Sequence, residues 1–184
     1  MIRTERLILR PWRDDDIEPM AAINADPLVV RHLPGPMTRA ETEAMIARKR
    51  AHLAKHSFAS FAVEAPGVAP FIGYVGLQRP NLDAHFMPAV EIGWRLASAY
   101  WGKGYATEAA RASLRFGFED LNLDQIVSFT VPANKPSWAV MERIGMTRDP
   151  RDDFDHPRIP EGHPLRRHIL YRMARVDCVV RGRS

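Results

Sequence analysis

"WRLASAYWGKGYATEAARASLRFGF", residues 94–118, decides how this chain is read. A strand-like run leads into it and a long helical pattern leaves it. Between them stand Gly102 and Gly104. Glycine costs backbone entropy in a helix and is used where backbone must approach something closely. At a helix start that something is often an anion, because the first N–H groups are unpaired and the dipole is positive there. Ala106, Ala109, Ala110, Ser113, Leu114 and Gly117 then fall at i, i+3, i+4, i+7, i+8 and i+11, one face of a 3.6-residue period. Nearly all are small, so this helix can lie close to a sheet. A tight strand-to-helix turn without a ligand is the alternative, since short glycine patterns are common.

Outward from this stretch, "AVEIGWRLA" (89–97) reads as a strand, with Val90, Ile92, Trp94 and Leu96 on one face and Glu91, Gly93 and Arg95 on the other. "SFASFAVEA" (57–65) and "FIGYVGLQR" (71–79), joined by "PGVAP", predict an antiparallel hairpin. "ERLILRPW" (5–12) is a first strand. A short helix follows with Asp15 or Asp16 as N-cap and Pro19 in its first turn. Thr38 and Glu41 form a capping box that starts a helix ending near His56. Downstream, "QIVSFTV" (125–131) is a strand. "ANKPSWAVMERIG" (133–145) is a helix closed by Gly145. "MTRD" opens a last hairpin, whose arms are separated by the proline-rich loop "PRDDFDHPRIPEGHPLR" and closed by "RHILYRMARV" (167–176). Hairpin links in the first half and crossover helices in the second predict an α/β (α+β) fold: a mixed, mostly antiparallel seven-stranded sheet with helices on both faces.

The 184 residues, 46% hydrophobic and 26% charged, suit a single domain spanning 1–184. No apolar run approaches membrane length, and the charged, strand-like N-terminus is unlike a secretory signal. One cysteine, Cys178, excludes an internal disulfide and a cysteine-based metal site, and points to a reduced, cytoplasmic setting. The net charge is +4, carried by 22 arginines and 4 lysines that are scattered rather than blocked. A nucleic-acid partner is allowed by this charge but not demanded. His156, His163 and His168 fit no common zinc spacing, so no metal is expected.

The element order, with the glycine loop between the fourth strand and third helix, resembles the GNAT acetyltransferase superfamily. The motif Arg/Gln-x-x-Gly-x-Gly/Ala corresponds to Trp101-Gly102-Lys103-Gly104-Tyr105-Ala106, and departs from it at Trp101. "TERLILRPW" and "EIGWRL" resemble the RimJ/RimL-type branch of ribosomal-protein N-acetyltransferases. "NKPSWAVMERIGM" resembles the second family motif, with Asn134, Ser137 and Gly145 in register.

The resemblance implies acetyl-CoA as co-substrate and an amine as acceptor, with splayed central strands. Its pyrophosphate would meet the backbone amides from Gly102 to Thr107, through Lys103, Gly104, Tyr105 and Ala106, with Lys103 either adding a cation or merely solvated. Its pantetheine arm would pair with the strand edge at Trp94, Arg95 and Leu96. Glu91 is the candidate base for the amine; a salt-bridged or solvent-facing carboxylate is the alternative. The tyrosine acid usual seven residues after the motif asparagine is replaced by Met141, which cannot donate. The RimL-type branch suggests Ser137 instead, either as donor to the leaving thiolate or as a plain cofactor contact. Asn134 would cap its helix and bond the cofactor's arm. The proline-rich loop and the two helices near 15–56 would wall the acceptor site. The acceptor is a small amine or a protein N-terminus, with ribosomal proteins among the candidates and a homodimer among the assemblies. Trp101 and Met141 also keep open a non-catalytic acyl-CoA sensor, and the arginines a ribosome- or RNA-associated protein.

Overall fold

The computed structural model describes residues 1–176; Cys178 lies outside the described residues. Contacts divide the chain into two compact units. The first holds Met1–Gln78 and Gly93–Ser113, the second Arg79–Ile92 and residues 114–176.

In the first unit β1 (Ile2–Arg3), β2 (Ile8–Arg10), β3 (Ser60–Ala65) and β4 (Ala69–Gln78) are antiparallel neighbours in that order. The expected hairpin is β3–β4. The next strand in the order is β5 (Glu91–Leu96). Its approach to β4 is close: a Cβ on Gly73 would lie 2.2 Å from the Arg95 carbonyl oxygen. Helices α1 (Ile17–Ala25), α2 (Pro27–Val30) and α3 (Arg39–His56) complete this part. Trp12, Met20, Ile23, Met45, Ile46, Ala62 and Phe71 form its core, burying the apolar sides of α1 and α3. The Thr38–Glu41 capping box is present, the Thr38 N–H donating to Glu41 Oε2 at 2.7 Å and the Glu41 N–H to Thr38 Oγ1 at 3.2 Å. Asp16 is the residue before α1, but its carboxylate does not cap that helix. It accepts from the Arg13 N–H at 2.7 Å and from both terminal nitrogens of Arg10, at 2.8 and 2.9 Å.

The glycine-headed helix is α4 (Tyr105–Arg115), with Ala109, Ala110 and Ser113 buried as the small-residue face requires. It ends in a wider turn over Phe116–Asp120, where the Leu121 N–H reaches back to the Phe116 carbonyl.

In the second unit Glu91 of β5 sits opposite Val127 of β6 (Gln125–Thr130) in parallel register. β9 (Arg167–Ala174) runs antiparallel to β6, with Ile126 opposite Met173 and Phe129 opposite Leu170. α5 (Lys135–Arg143) ends at Gly145, whose φ of 92° is the left-handed backbone expected after a helix. The sheet is mixed and mostly antiparallel, as expected, but among the described residues nine strand segments replace seven. The terminal residues Ile2–Arg3 form β1. The proline-rich stretch expected as pure loop contains a 3-10 turn, Pro150–Asp152, and a two-residue strand, β8 (Phe154–Asp155), which pairs with β9 beside β7 (Thr147–Arg148). Phe154 explains it: its ring is buried edge-on against Phe129 at 5.4 Å and Phe86 at 5.0 Å, which pins the loop to the core.

Candidate active site

In the first unit, Gly102 and Gly104 adopt φ of 74° and 82°, left-handed values that L side chains resist. Alternating backbone handedness of this kind turns successive N–H groups toward one concavity. The first amides of α4 add theirs, lacking partners one turn earlier. A Cβ at Gly102 would meet nothing within 4 Å, so the concavity opens outward. Lys103 is exposed, its ammonium 5.4 Å from the Tyr100 ring centroid.

The loop is held from behind. Glu108, in the first turn of α4, accepts from Thr4 Oγ1 at 2.6 Å, the Arg6 N–H at 2.9 Å and Arg6 Nε at 2.7 Å. Burial alone would push the Glu108 carboxyl up. The bonds from Thr4 and Arg6 outweigh it and hold the group below the usual glutamate range. Arg6 also donates to the Lys103 carbonyl at 3.1 Å and lies 4.9 Å from the Tyr105 ring centroid. Neither Thr4 nor Arg6 carries a local sequence signal for this role, being about a hundred residues from the loop. Glu108, one turn past Gly104, is an acidic residue at a helix start, which is the one local signal the clamp offers.

The strand edge is defined by one bond. The Ala97 N–H donates to the Ile72 carbonyl at 3.0 Å, so odd-numbered backbone groups of β5 face β4. The backbone of Trp94 and Leu96 points the other way, and that of Arg95 does not share this edge. The Leu96 carbonyl is occupied: Trp101 Nε1 donates to it at 2.8 Å. The residue that departs from the family motif thus ties the glycine loop to the end of β5. The Arg95 side chain leaves β5 toward α1, donating from Nη1 to Asn24 Oδ1 at 2.6 Å.

In the second unit, Glu91 is buried at 8% exposure, which removes the solvent-facing alternative. Near it on β5, the Val90 carbonyl accepts from the Val127 N–H at 2.9 Å and the Ile92 carbonyl from Ser128 Oγ at 2.9 Å. Asn134 precedes α5 at the N-cap position, but its side chain makes no capping bond. Its amide donates to Thr130 Oγ1 at 3.0 Å, fixing the β6–α5 corner instead. Ser137 lies in the first turn of α5, half-buried, its N–H donating to the Asn134 carbonyl at 3.1 Å. Met141 is fully buried core. The rings of His156 and His168 lie 5.1 Å apart, and burial pushes both below the ordinary histidine range. Among the described residues no group of three His, Cys, Asp or Glu side chains is placed to hold a metal ion. No described helix is long and apolar enough to cross a membrane.

Sheet order, glycine-headed helix and strand edge together define an acyltransferase of GNAT type. The family profile described as "Acetyltransferase (GNAT) domain" matches residues 6–147. YnaD of Bacillus subtilis strain 168, named an uncharacterized N-acetyltransferase, is 31% identical over 163 residues, covering 88% of this chain and 89% of that one. The crystal structure of an acetyltransferase (GNAT family) from Bacillus anthracis is 30% identical, with a TM-score of 0.78 over 95% of this chain and 98% of the other. Spermidine N-acetyltransferase from Vibrio cholerae, solved in complex with CoA and spermine, shares the fold at 18% identity, with a TM-score of 0.74 over 96% and 99% of the two chains. The chain belongs to the GNAT acetyltransferase family, and its activity class is N-acetyl transfer.

Proposed function

We propose that the chain is one acetyltransferase domain that transfers an acetyl group from acetyl-CoA to a primary amine in a ternary complex. The observation that carries this is the left-handed Gly102–Gly104 turn opening outward at the head of α4. It fits a pyrophosphate, with amides from Gly102 to Thr107 as donors and Lys103 as an adjacent cation. The pantetheine arm would pair along the edge carrying the backbone of Trp94 and the Leu96 N–H, the Leu96 carbonyl being held by Trp101.

Acetyl-CoA supplies a thioester acyl carbon and a thiol leaving group of pKa near 8.5. This chain's residues do the rest. Glu91 takes a proton from the acceptor's ammonium, directly or through one water, which frees the amine lone pair to attack the acyl carbon. Burial of Glu91 supports the role by keeping bulk water away from the proton transfer. A backbone N–H of β5 offers its hydrogen to the acyl oxygen. Ser137 donates a hydrogen bond at the sulfur, and Asn134 keeps the head of α5 in place. Acceptors extend from small amines to a protein α-amine such as a ribosomal-protein N-terminus.

Calorimetry with acetyl-CoA tests the loop. Gly104→Val sets a branched side chain on left-handed backbone with its Cβ 3.3 Å from Arg6 Nη2, and by displacing the loop lowers affinity at least tenfold, about 1.4 kcal/mol. Unchanged affinity in the folded variant removes the phosphate role. Thiol release across a panel of amines and peptides tests the chemistry. Glu91→Gln lowers kcat by about 10²–10⁴ while CoA still binds, and wild-type turnover at every pH returns Glu91 to a structural role. CoA binding without release for any acceptor identifies a sensor instead.

A further inference from the structure

Among the described residues, the Arg95 guanidinium meets one amide oxygen, one thioether and one aromatic ring, and no carboxylate. The arrangement begins in the core. Thr42 and Asn24, both wholly buried, are joined by the Asn24 amide donating to Thr42 Oγ1 at 2.9 Å. That bond leaves the Asn24 carbonyl oxygen directed at Arg95, which it meets at 2.6 Å. Arg95 Nη1 also lies 3.8 Å from Met37 Sδ. Both contacts use Nη1, whose two hydrogens they consume. The Tyr74 ring lies with its centroid 5.8 Å from the guanidinium carbon, and the Lys49 ammonium lies 4.0 Å from that same centroid. Two cations therefore share one aromatic ring.

Arginine and carboxylate meet best edge to edge, two parallel N–H groups against two oxygens. The Nε–Nη2 edge of Arg95 is such a fork. Among the described residues it has no acceptor, and no carboxylate stands within ion-pair distance of the guanidinium. A half-buried arginine is ordinarily neutralised, because leaving water uncompensated is costly. Here the geometry is locked on one nitrogen and left open on the other two.

We propose that Arg95 selects acceptors carrying a carboxylate, which docks on its Nε–Nη2 edge and aligns the amine for transfer. The proposal rests on the acetyltransferase reading above. It narrows that reading to anionic amines, either amino acids through their α-carboxylate or peptides with an acidic residue next to the reacting N-terminus.

Matched acceptors separate these sources: alanine against alaninamide, and the dipeptide amides Ala-Glu-NH2 against Ala-Gln-NH2. Thiol release is measured for wild type, Arg95→Gln and Arg95→Lys, and each pair is expressed as a ratio of kcat/KM. Comparing that ratio between proteins cancels differences in amine basicity. In the wild type one pair favours its carboxylate member through KM. Arg95→Gln lowers that ratio by about 10–100-fold, the loss expected for one bidentate charged contact of about 1.4–2.8 kcal/mol. Arg95→Lys restores part of it. A wild-type ratio unmoved by Arg95→Gln in both pairs, or equal losses for both members, overturns the proposal while leaving acetyl transfer intact. If no amine is acetylated, calorimetry of Ala-Glu-NH2 and Ala-Gln-NH2 with the CoA-bound protein reads the same preference directly. Absence of that preference there also overturns it.

Discussion

Arg10 and Arg95 are both drawn out of water within the first unit, and they are treated in opposite ways. Arg10, with 5% of its side chain exposed, is saturated: Asp16 grips both terminal nitrogens, Glu64 takes Nε at 3.0 Å, and the Pro70 carbonyl takes Nη2 at 2.8 Å. The Asp16 hydrogen bonds are the main cause that raises its pKa above the ordinary arginine value, against the opposing effect of burial. Arg95 is given one amide oxygen and a thioether, and no carboxylate among the described residues. The first arrangement closes a structure. The second is complete only when something else arrives. Burial alone does not distinguish a structural cation from a recognition cation; the accounting of its hydrogens does.

The comparison breaks most visibly on stability. Asp16→Ala strips Arg10 of its main counter-charge and costs about 3–5 kcal/mol in urea unfolding, whereas Arg95→Gln costs about 1 kcal/mol, one hydrogen bond to Asn24. Equal losses from the two variants erase the distinction. A finer test uses the Glu108 clamp, a charged network of intermediate exposure. Glu108→Gln weakens bonds to Thr4 and Arg6 and costs about 1–2 kcal/mol. Because the folded Glu108 titrates below its unfolded value, its contribution is present above the usual glutamate range. It is lost as pH falls through the lower folded value. The wild-type minus Glu108→Gln stability difference therefore shrinks on acidification, and a difference that grows toward low pH refutes the assigned shift.

Much of this was legible in the chain. The glycine pair, the small-residue face of α4, the Thr38–Glu41 box and the Gly145 stop are local signals, each readable within a dozen residues. The strand at β5 was legible too, but its expected alternation is not mirrored in burial: Glu91 and Ile92 are both buried, Trp94 and Arg95 both half-buried. What escaped depends on distance or on competition. The Thr4–Arg6–Glu108 clamp joins segments about a hundred residues apart. Asn134 had two possible uses for its amide, and the tertiary partner Thr130 won over the helix end. Phe154 turned a stretch rich in proline into a strand pair because burying its ring outweighed the loop-like composition around it. Asn24 looked like any polar residue in a short helix, and its service to Arg95 needed the fold.

The close approach of β4 to β5 at Gly73 has a consequence for how this sequence can drift. With the Arg95 carbonyl 2.2 Å from where a Cβ would stand and φ at 132°, even alanine forces the backbones apart. Everything mounted on β5 moves with that displacement: the edge at Trp94, the carbonyl that Trp101 holds, and the fork of Arg95. A position with no side chain thus acts as the gauge block of the site. Neighbouring residues are free to explore acceptors of new shape only so long as Gly73 stays empty.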